Sequence, residues 1–329
     1  MGSMAQAPMR PRRKRDDRKV VVPSPRPTAG TSWDEAVRAF LHDARARNCS
    51  PATLTGYTGY LTGPRMRQFV RDYGVVSVSD VTIDKLRSFQ AELLDIGLSA
   101  GTVGTYHRVL RNFLGFCDRE GYGTQAGSLA APAPQEPVLE PEVFSEAEER
   151  ALLGACRSER DKLLVEFMLR TGLRRTELIH VRVDDIVDGS EGAYVRVRQG
   201  KGRKDRIVPL DTRRENFSRK LVRYIRTSRP KDTHNPHLWL SSRRNARTGD
   251  YEPLSADGLM SLLQRLGSAT GVHVHPHKFR HTFATRALAA GVDSLALQRA
   301  LGHTTLAMVN RYVHFQSGDL LRAWQGRSD

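Results

Sequence analysis

Thr171-Gly172-Leu173-Arg174-Arg175-Thr176-Glu177-Leu178 packs a helix end, a turn and a helix start into eight residues. Gly172 closes a helix expected over 159–171, since glycine accepts the left-handed backbone of a C-terminal cap. Arg174 then starts the next helix, with Glu177 one turn on, where a carboxylate orients the guanidinium. A planar fork at a helix N-terminus suits a phosphate oxygen better than a lysine does. Taken alone, the same residues also describe a surface helix with an i,i+3 Arg–Glu pair.

Working outward, Ser145-x-x-Glu148 is a capping box that opens a helix expected over about 146–156. After Leu178, Tyr194, Val195 and Val197 lead into Gly200-Lys201-Gly202, and Ile207 and Val208 follow, the pattern of a β-hairpin turning at the glycines. Lys201 at that tip is either a solvated turn residue or a lysine swung into a groove. It belongs to no P-loop, because Gly-x-x-x-x-Gly-Lys-Ser/Thr is absent. Beyond Asp211 the chain is expected to be mostly helical. His273-Val-His275-Pro-His277-Lys-Phe-Arg280-His281 places four histidines in nine residues. It lacks both a His-Glu-x-x-His arrangement and a nearby cysteine, so no metal is expected. His277 and Arg280 instead point together from the start of a helix. Leu301-Gly302-His303 follows, with Tyr312 nine residues after His303.

Upstream, Pro132, Pro134, Pro137 and Pro141 make 127–141 a semi-extended linker. Residues 31–126 read as a helical domain of four or five helices. Trp33, Val37, Phe40, Leu41 and Ala44 share one face behind Thr31 or Ser32. Ser50-Pro51 opens a helix running to Phe69 and Val70, Thr82 caps one stopped by Gly97, and Ser99 opens one ended by Gly121. Residues 1–30 read as a basic flexible arm, with 1–3 a cloning scar, and 142–329 as the second domain with its tail. The fold class expected is mainly α with a small β-hairpin or sheet, in two domains.

The chain of 329 residues carries 52 Lys and Arg against 36 Asp and Glu, a formal charge of +16 with a pI near 10.2. Its length exceeds what one core usually organises. Between Arg10 and Lys19, seven basic residues, among them Arg12, Arg13, Lys14 and Arg15, face two acidic ones. A polyanion partner follows, nucleic acid before a membrane, since no amphipathic anchor is evident. The apolar run Leu163–Leu169 is broken by Glu166 and falls short of the ~18 residues of a membrane span. Cys49, Cys117 and Cys156 stand far apart with no Cys-x-x-Cys pair, and no apolar leader precedes them. A reducing bacterial cytoplasm, with the nucleoid, is the expected location.

Arg174, Lys201, His277, Arg280, His303 and Tyr312, in this order and spacing, resemble the tyrosine recombinase (phage integrase) family. Ser50-Pro-Ala-Thr53-x3-Tyr57 and Ser99-x2-Thr102 resemble its helical core-binding domain. The resemblance implies a site-specific recombinase that cleaves and rejoins duplex DNA through a 3′-phosphotyrosyl bond to Tyr312, needing neither metal, ATP nor other cofactor. Arg174, Arg280 and His303 would stabilise the phosphorane, Lys201 would protonate the leaving 5′ oxygen, and His277 would take the phenol proton. Glu177 would support Arg174, while Arg203, Lys204, Lys278 and the arm cations would contact DNA. The resemblance further implies a homotetramer on paired core sites, a Holliday junction intermediate and accessory bending or directionality factors. A C-terminal face of Leu320, Leu321, Ala323 and Trp324 would dock on a neighbour or on its own domain. The short N-terminal arm favours a simple recombinase of the Xer or small mobile-element type.

Three competing readings remain open from sequence. A type IB topoisomerase uses similar residues to relax supercoils. A metal-dependent nuclease would need Asp184, Asp185 and Asp188 to converge with a further partner. A non-catalytic DNA-binding protein would not need the six-residue set.

Overall fold

The computed structural model describes residues 30–124, 132–135, 140–189, 192–198, 205–211, 216–303, 305 and 309. The chain divides into two compact units, Met1–Val138 and Leu139–Asp329; the described residues are mainly helical, with two small antiparallel sheets among them.

The first unit holds α1 (Trp33–Ala46), α2 (Pro51–Thr62), α3 (Pro64–Asp72), α4 (Ile83–Asp95) and α5 (Ala100–Arg119). Each start has a local cause. Ser32 and Glu35 form a capping box on α1, and Ser50, Thr82 and Ser99 accept from the third backbone N–H of α2, α4 and α5. One expectation fails. The helix from Pro51 does not run on to Val70, because Gly63 is extended (ψ 166°) and Pro64 restarts the chain as α3. A proline lacks the N–H that a continuing helix would use. Aromatic rings fill the core: Phe40 packs edge-on against Phe113 and Phe116, and Trp33 against Phe113 at 4.9 Å. Trp33 also donates from Nε1 to Leu61 O at 3.2 Å, which ties the end of α2 to that core.

In the second unit, α6 (Glu146–Gly154) and α7 (Glu159–Thr171) precede the short α8 (Arg175–Ile179). Strands β1 (Ile186–Gly189), β2 (Gly192–Val197) and β3 (Arg206–Pro209) form an antiparallel sheet in that order, with Ile186 opposite Val195 and Val195 opposite Val208. Ala193, Val195, Val197 and Val208 bury one face, the alternation a one-sided sheet requires. After α9 (Phe217–Thr227), β4 (Leu240–Arg244) and β5 (Tyr251–Pro253) pair as a second sheet. Helices α10 (Ala256–Thr270), α11 (Pro276–Ala289) and α12 (Ser294–Leu301) follow. The sheet thus gains a strand, β1, that the sequence did not suggest, and the region after Asp211 contains the β4–β5 pair besides its helices. Helix α7 lies within the main core, with Leu164, Val165 and Phe167 fully enclosed and Trp239 edge-on to Phe167 at 5.5 Å. Its position fixes where Gly172 and Arg174 emerge.

Candidate active site

The turn after α7 is built for one residue type. Gly172 adopts φ +56°, and a Cβ there would lie 2.6 Å from Phe283 Cδ1. The chain can therefore reverse tightly against α11 and set Arg174 at the start of α8. Arg174 donates from its backbone N and from Nη1 to the two oxygens of Glu177, each at 2.9 Å, and from Nη2 to Gly302 O at 2.9 Å.

Helix α11 supplies the facing groups. His275 caps it, accepting from Lys278 N at 3.3 Å, and Pro276 fits the first turn. His277 and Arg280 are three residues apart on this helix, so they share a side. Arg280 is buried and donates from Nη1 to Gly172 O at 2.8 Å and from Nη2 to Leu301 O at 2.7 Å. Arg174, Arg175, His277 and Arg280 line one cleft of about 370 Å³. Burial, followed by the charges of His275, Arg280, Arg174 and Arg175, holds the His277 imidazole below its ordinary pKa. Its neutral form can accept a proton beside fixed cations.

The C-terminal end of α12 completes the arrangement. Its last carbonyls carry the negative end of the helix dipole and lack helical partners. Ala300, Leu301 and Gly302 each accept from a different arginine: Arg206 at 2.7 Å, Arg280 at 2.7 Å and Arg174 at 2.9 Å. Gly302 turns the chain with φ +64° and hands on to His303, whose backbone N reaches Gln298 O at 3.1 Å. Glu177 sits beneath, accepting from Arg206 Nη1 at 3.0 Å and Nη2 at 2.7 Å besides its two bonds from Arg174. Burial works to raise the Glu177 pKa, but hydrogen bonds from Arg206 and Arg174 and the charge of Arg206 hold it low, so it stays ionised. Arg206 was not singled out from the sequence, where it is one more cation after a basic turn.

A cleft lined by fixed guanidiniums suits an anionic ligand. Residues 142–318, more than half of the chain, match the model of the phage integrase family. The chain belongs to that family of tyrosine recombinases. This recombinase is 31% identical over 290 residues to tyrosine recombinase XerC of Oceanobacillus iheyensis, covering 84% of this chain and 90% of the relative. It is 32% identical over 281 residues to tyrosine recombinase XerA of Thermococcus kodakarensis, with 85% and 90% covered. The recombinase also shares its fold with a lambda integrase dimer solved on a COC′ core site. That match has a TM-score of 0.67 and 18% identity, covering 86% of this chain and 77% of that one. A second fold match is XerH site-specific recombinase in a post-cleavage complex with palindromic difH substrate, at TM-score 0.64 and 20% identity, covering 90% and 84%.

Of the residues expected at the tyrosine recombinase site, Arg174, Glu177, His277, Arg280 and the Gly302–His303 turn come together as described. Lys278 does not join them. Its side chain is buried, with Nζ 3.2 Å from Glu148 Oε1 and 4.6 Å over the Phe144 ring. It braces α11 against α6. Lys201, Arg203, Lys204, Tyr312, the arm residues Arg12, Arg13, Lys14 and Arg15, and the C-terminal face Leu320, Leu321, Ala323 and Trp324 lie outside the described residues.

Two acidic groupings bear on metal chemistry. Asp185 is buried and accepts from Arg182 N at 2.9 Å and from Arg198 Nε, while Asp184 meets Arg198 at 3.1 Å. These carboxylates are already paired with cations and do not converge on a cleft. Glu142, His273 and His275 are the one cluster with ligand-like spacing among the described residues. His275 Nδ1, however, spends its lone pair on the α11 cap, so its Nε2 carries the proton and faces Glu142 at 3.6 Å. A metal at Nε2 would have to break that cap. No described helix is long and apolar enough to cross a membrane.

Proposed function

We propose that this tyrosine recombinase exchanges strands between paired core sites on duplex DNA through a covalent 3′-phosphotyrosyl intermediate at Tyr312. The observation that carries this reading is the meeting of Arg174, His277 and Arg280, from two separate segments, in one cleft beside the α12 terminus that leads to His303. Attack of the Tyr312 oxygen on phosphorus adds charge to the non-bridging oxygens. Guanidiniums already fixed by backbone carbonyls stabilise that charge with little reorganisation. His277, held neutral, takes the phenol proton, and Lys201 gives one to the departing 5′ oxygen. One phosphate ester replaces another, so the bond energy is kept and a 5′-hydroxyl of a second duplex reverses the step.

Repeating this on both strands passes through a Holliday junction, for which a homotetramer on two sites is the simplest assembly. A solved neighbour is described as a lambda integrase tetramer bound to a Holliday junction. In this reading both 31–126 and 142–329 contact the duplex, and the arm cations trade counterions with flanking phosphates. Accessory proteins set direction, and the reaction takes place in the cytoplasm, where the nucleoid lies.

The test is Tyr312→Phe on nicked suicide DNA, resolved on a denaturing gel beside a binding assay. The variant is expected to bind like the parent and form no covalent adduct. An adduct that persists in Tyr312→Phe removes the tyrosine from the mechanism.

A further inference from the structure

Arg206 begins β3, five residues after Lys201, yet its side chain points into the site just described instead of following the basic turn. It is nearly enclosed, with side-chain exposure of 10%, and its partner Glu177 has 6%. The two meet as fork and carboxylate, Nη1 to Oε1 at 3.0 Å and Nη2 to Oε2 at 2.7 Å, while Nε donates to Ala300 O at 2.7 Å. A bidentate pair of this kind fixes orientation as well as charge. Lysine could not copy it, having one ammonium in place of a planar fork.

The surroundings are shaped to the guanidinium. A Cβ at Gly302 would lie 3.2 Å from Cζ, Nε and Nη1 of Arg206, so a bare glycine turn leaves the room the fork occupies. Glu177 in turn holds Arg174 by Nη1, and Arg174 holds Gly302 O by Nη2. A closed loop results: Arg206 to Glu177 to Arg174 to Gly302, and back to Arg206 through Ala300. Removing Arg206 opens it in two places. Glu177 loses two of its four donors and is free to follow Arg174 away from the cleft. The Ala300 carbonyl loses its side-chain donor one turn before His303.

We propose that Arg206 is a positioning residue for strand cleavage, which sets Arg174 through Glu177 and sets the His303 turn through the Ala300 carbonyl. This rests on the recombinase reading above and deepens it, because Arg206 touches no reacting atom. It acts through two groups that do. A displacement of the order of 1 Å in such groups costs about 10²-fold in rate.

The experiment measures single-turnover cleavage of suicide DNA by full-length Arg206→Ala, Arg206→Lys, Glu177→Gln and the double variant Arg206→Ala/Glu177→Gln. DNA affinity and melting temperature are measured alongside. Arg206→Ala is expected to lose about 10²-fold in cleavage with Kd little changed. The double variant is expected to cleave no more than about threefold slower than the worse single, since both substitutions break one chain of contacts. Arg206→Lys keeps a cation in place and guards against a variant that simply unfolds. It is expected to melt near the parent and cleave at an intermediate rate. Its defect should shrink on a scissile methylphosphonate, whose neutral phosphorus relies less on a well-placed Arg174. A merely structural role would slow both substrates equally, and that result overturns the proposal. So would losses that multiply in the double variant, or an Arg206→Ala rate equal to the parent's. The parent protein and Tyr312→Phe run in the same assay: if the parent forms an adduct that Tyr312→Phe lacks, a failure belongs to Arg206 and not to the recombinase reading.

Discussion

Arg280 and Leu301 are joined by a 2.7 Å hydrogen bond from Nη2 to the backbone carbonyl, while Nη1 of the same guanidinium reaches Gly172 O at 2.8 Å. One buried side chain therefore splices the end of α7 to the end of α12. Its charge faces the cleft already oriented, and its removal has two separable consequences. Arg280→Ala should lose cleavage by at least about 10²-fold, the usual effect of deleting a preorganised donor to a developing charge. It should also lose about 2–5 kcal/mol of stability, because two carbonyls are left without this donor. Urea denaturation and adduct formation read the two losses apart. A variant as stable as the parent would mean that solvent replaces the guanidinium at both carbonyls.

Gly172→Ala tests the turn. The left-handed φ and the 2.6 Å approach to Phe283 together predict a destabilisation of about 2–4 kcal/mol. Pairing it with Phe283→Leu should recover the steric share and leave the backbone share. Equal midpoints for the single and double variants would show that the ring is not the obstacle.

Lys278 separates bracing from DNA contact. Lys278→Met keeps the stem but removes the ammonium from Glu148 and Phe144, a loss of about 1–2 kcal/mol for a pair whose acid is partly solvated. The dependence of log Kd on log salt should move by less than the ~0.9 unit expected of one lost phosphate contact. A full unit of change would assign Lys278 a phosphate contact.

The pH profile follows His277. Burial first, then the positive neighbours, hold its pKa below 6.5, so the base form persists as pH falls past that value. Cleavage should stay flat from neutral pH to below 6.5 and decline only under more acidic conditions. The acid limb should disappear in His277→Gln, at a rate lower by about 10²–10⁴-fold. The stability sign runs the same way. The unfolded chain takes the proton first, so stability falls as pH drops below 6.5, and His277→Gln should lose less of it. An acid limb that survives the substitution assigns that titration to another group.

Much of this was legible in the chain because local chemistry set it. The Ser32, Ser50, Thr82, Ser99 and Ser145 caps, the Gly172 stop and the position of Arg174 depend on residues within a turn of each other. The break at Gly63-Pro64 was written there too, and was outweighed by the apolar pattern running across it. Strands β1 and β4 were not visible. Ile186-Val187-Asp188-Gly189 is short, and Leu240-Ser-Ser-Arg-Arg244 has no alternation, so only their partners define them. The inward turn of Arg206 and the burial of Lys278 were not legible, for one reason. A cation's direction is decided by the carboxylate that receives it, and Glu177 and Glu148 lie 29 and 130 residues away.

The first residues after the proline-rich stretch are stitched to one helix and its lead-in. Glu142 meets His273 at 3.2 Å, Phe144 N reaches Thr282 Oγ1 at 2.9 Å, Glu148 holds Lys278 at 3.2 Å, and Glu149 holds Arg286 at 2.7 Å. All of them fasten onto α11 or the segment that enters it, the helix that carries His277 and Arg280. Residues 142–149 and the helix that sets the cleft are thus one piece, so a change at Glu148 or Glu149 is felt along the helix that aligns His277 and Arg280.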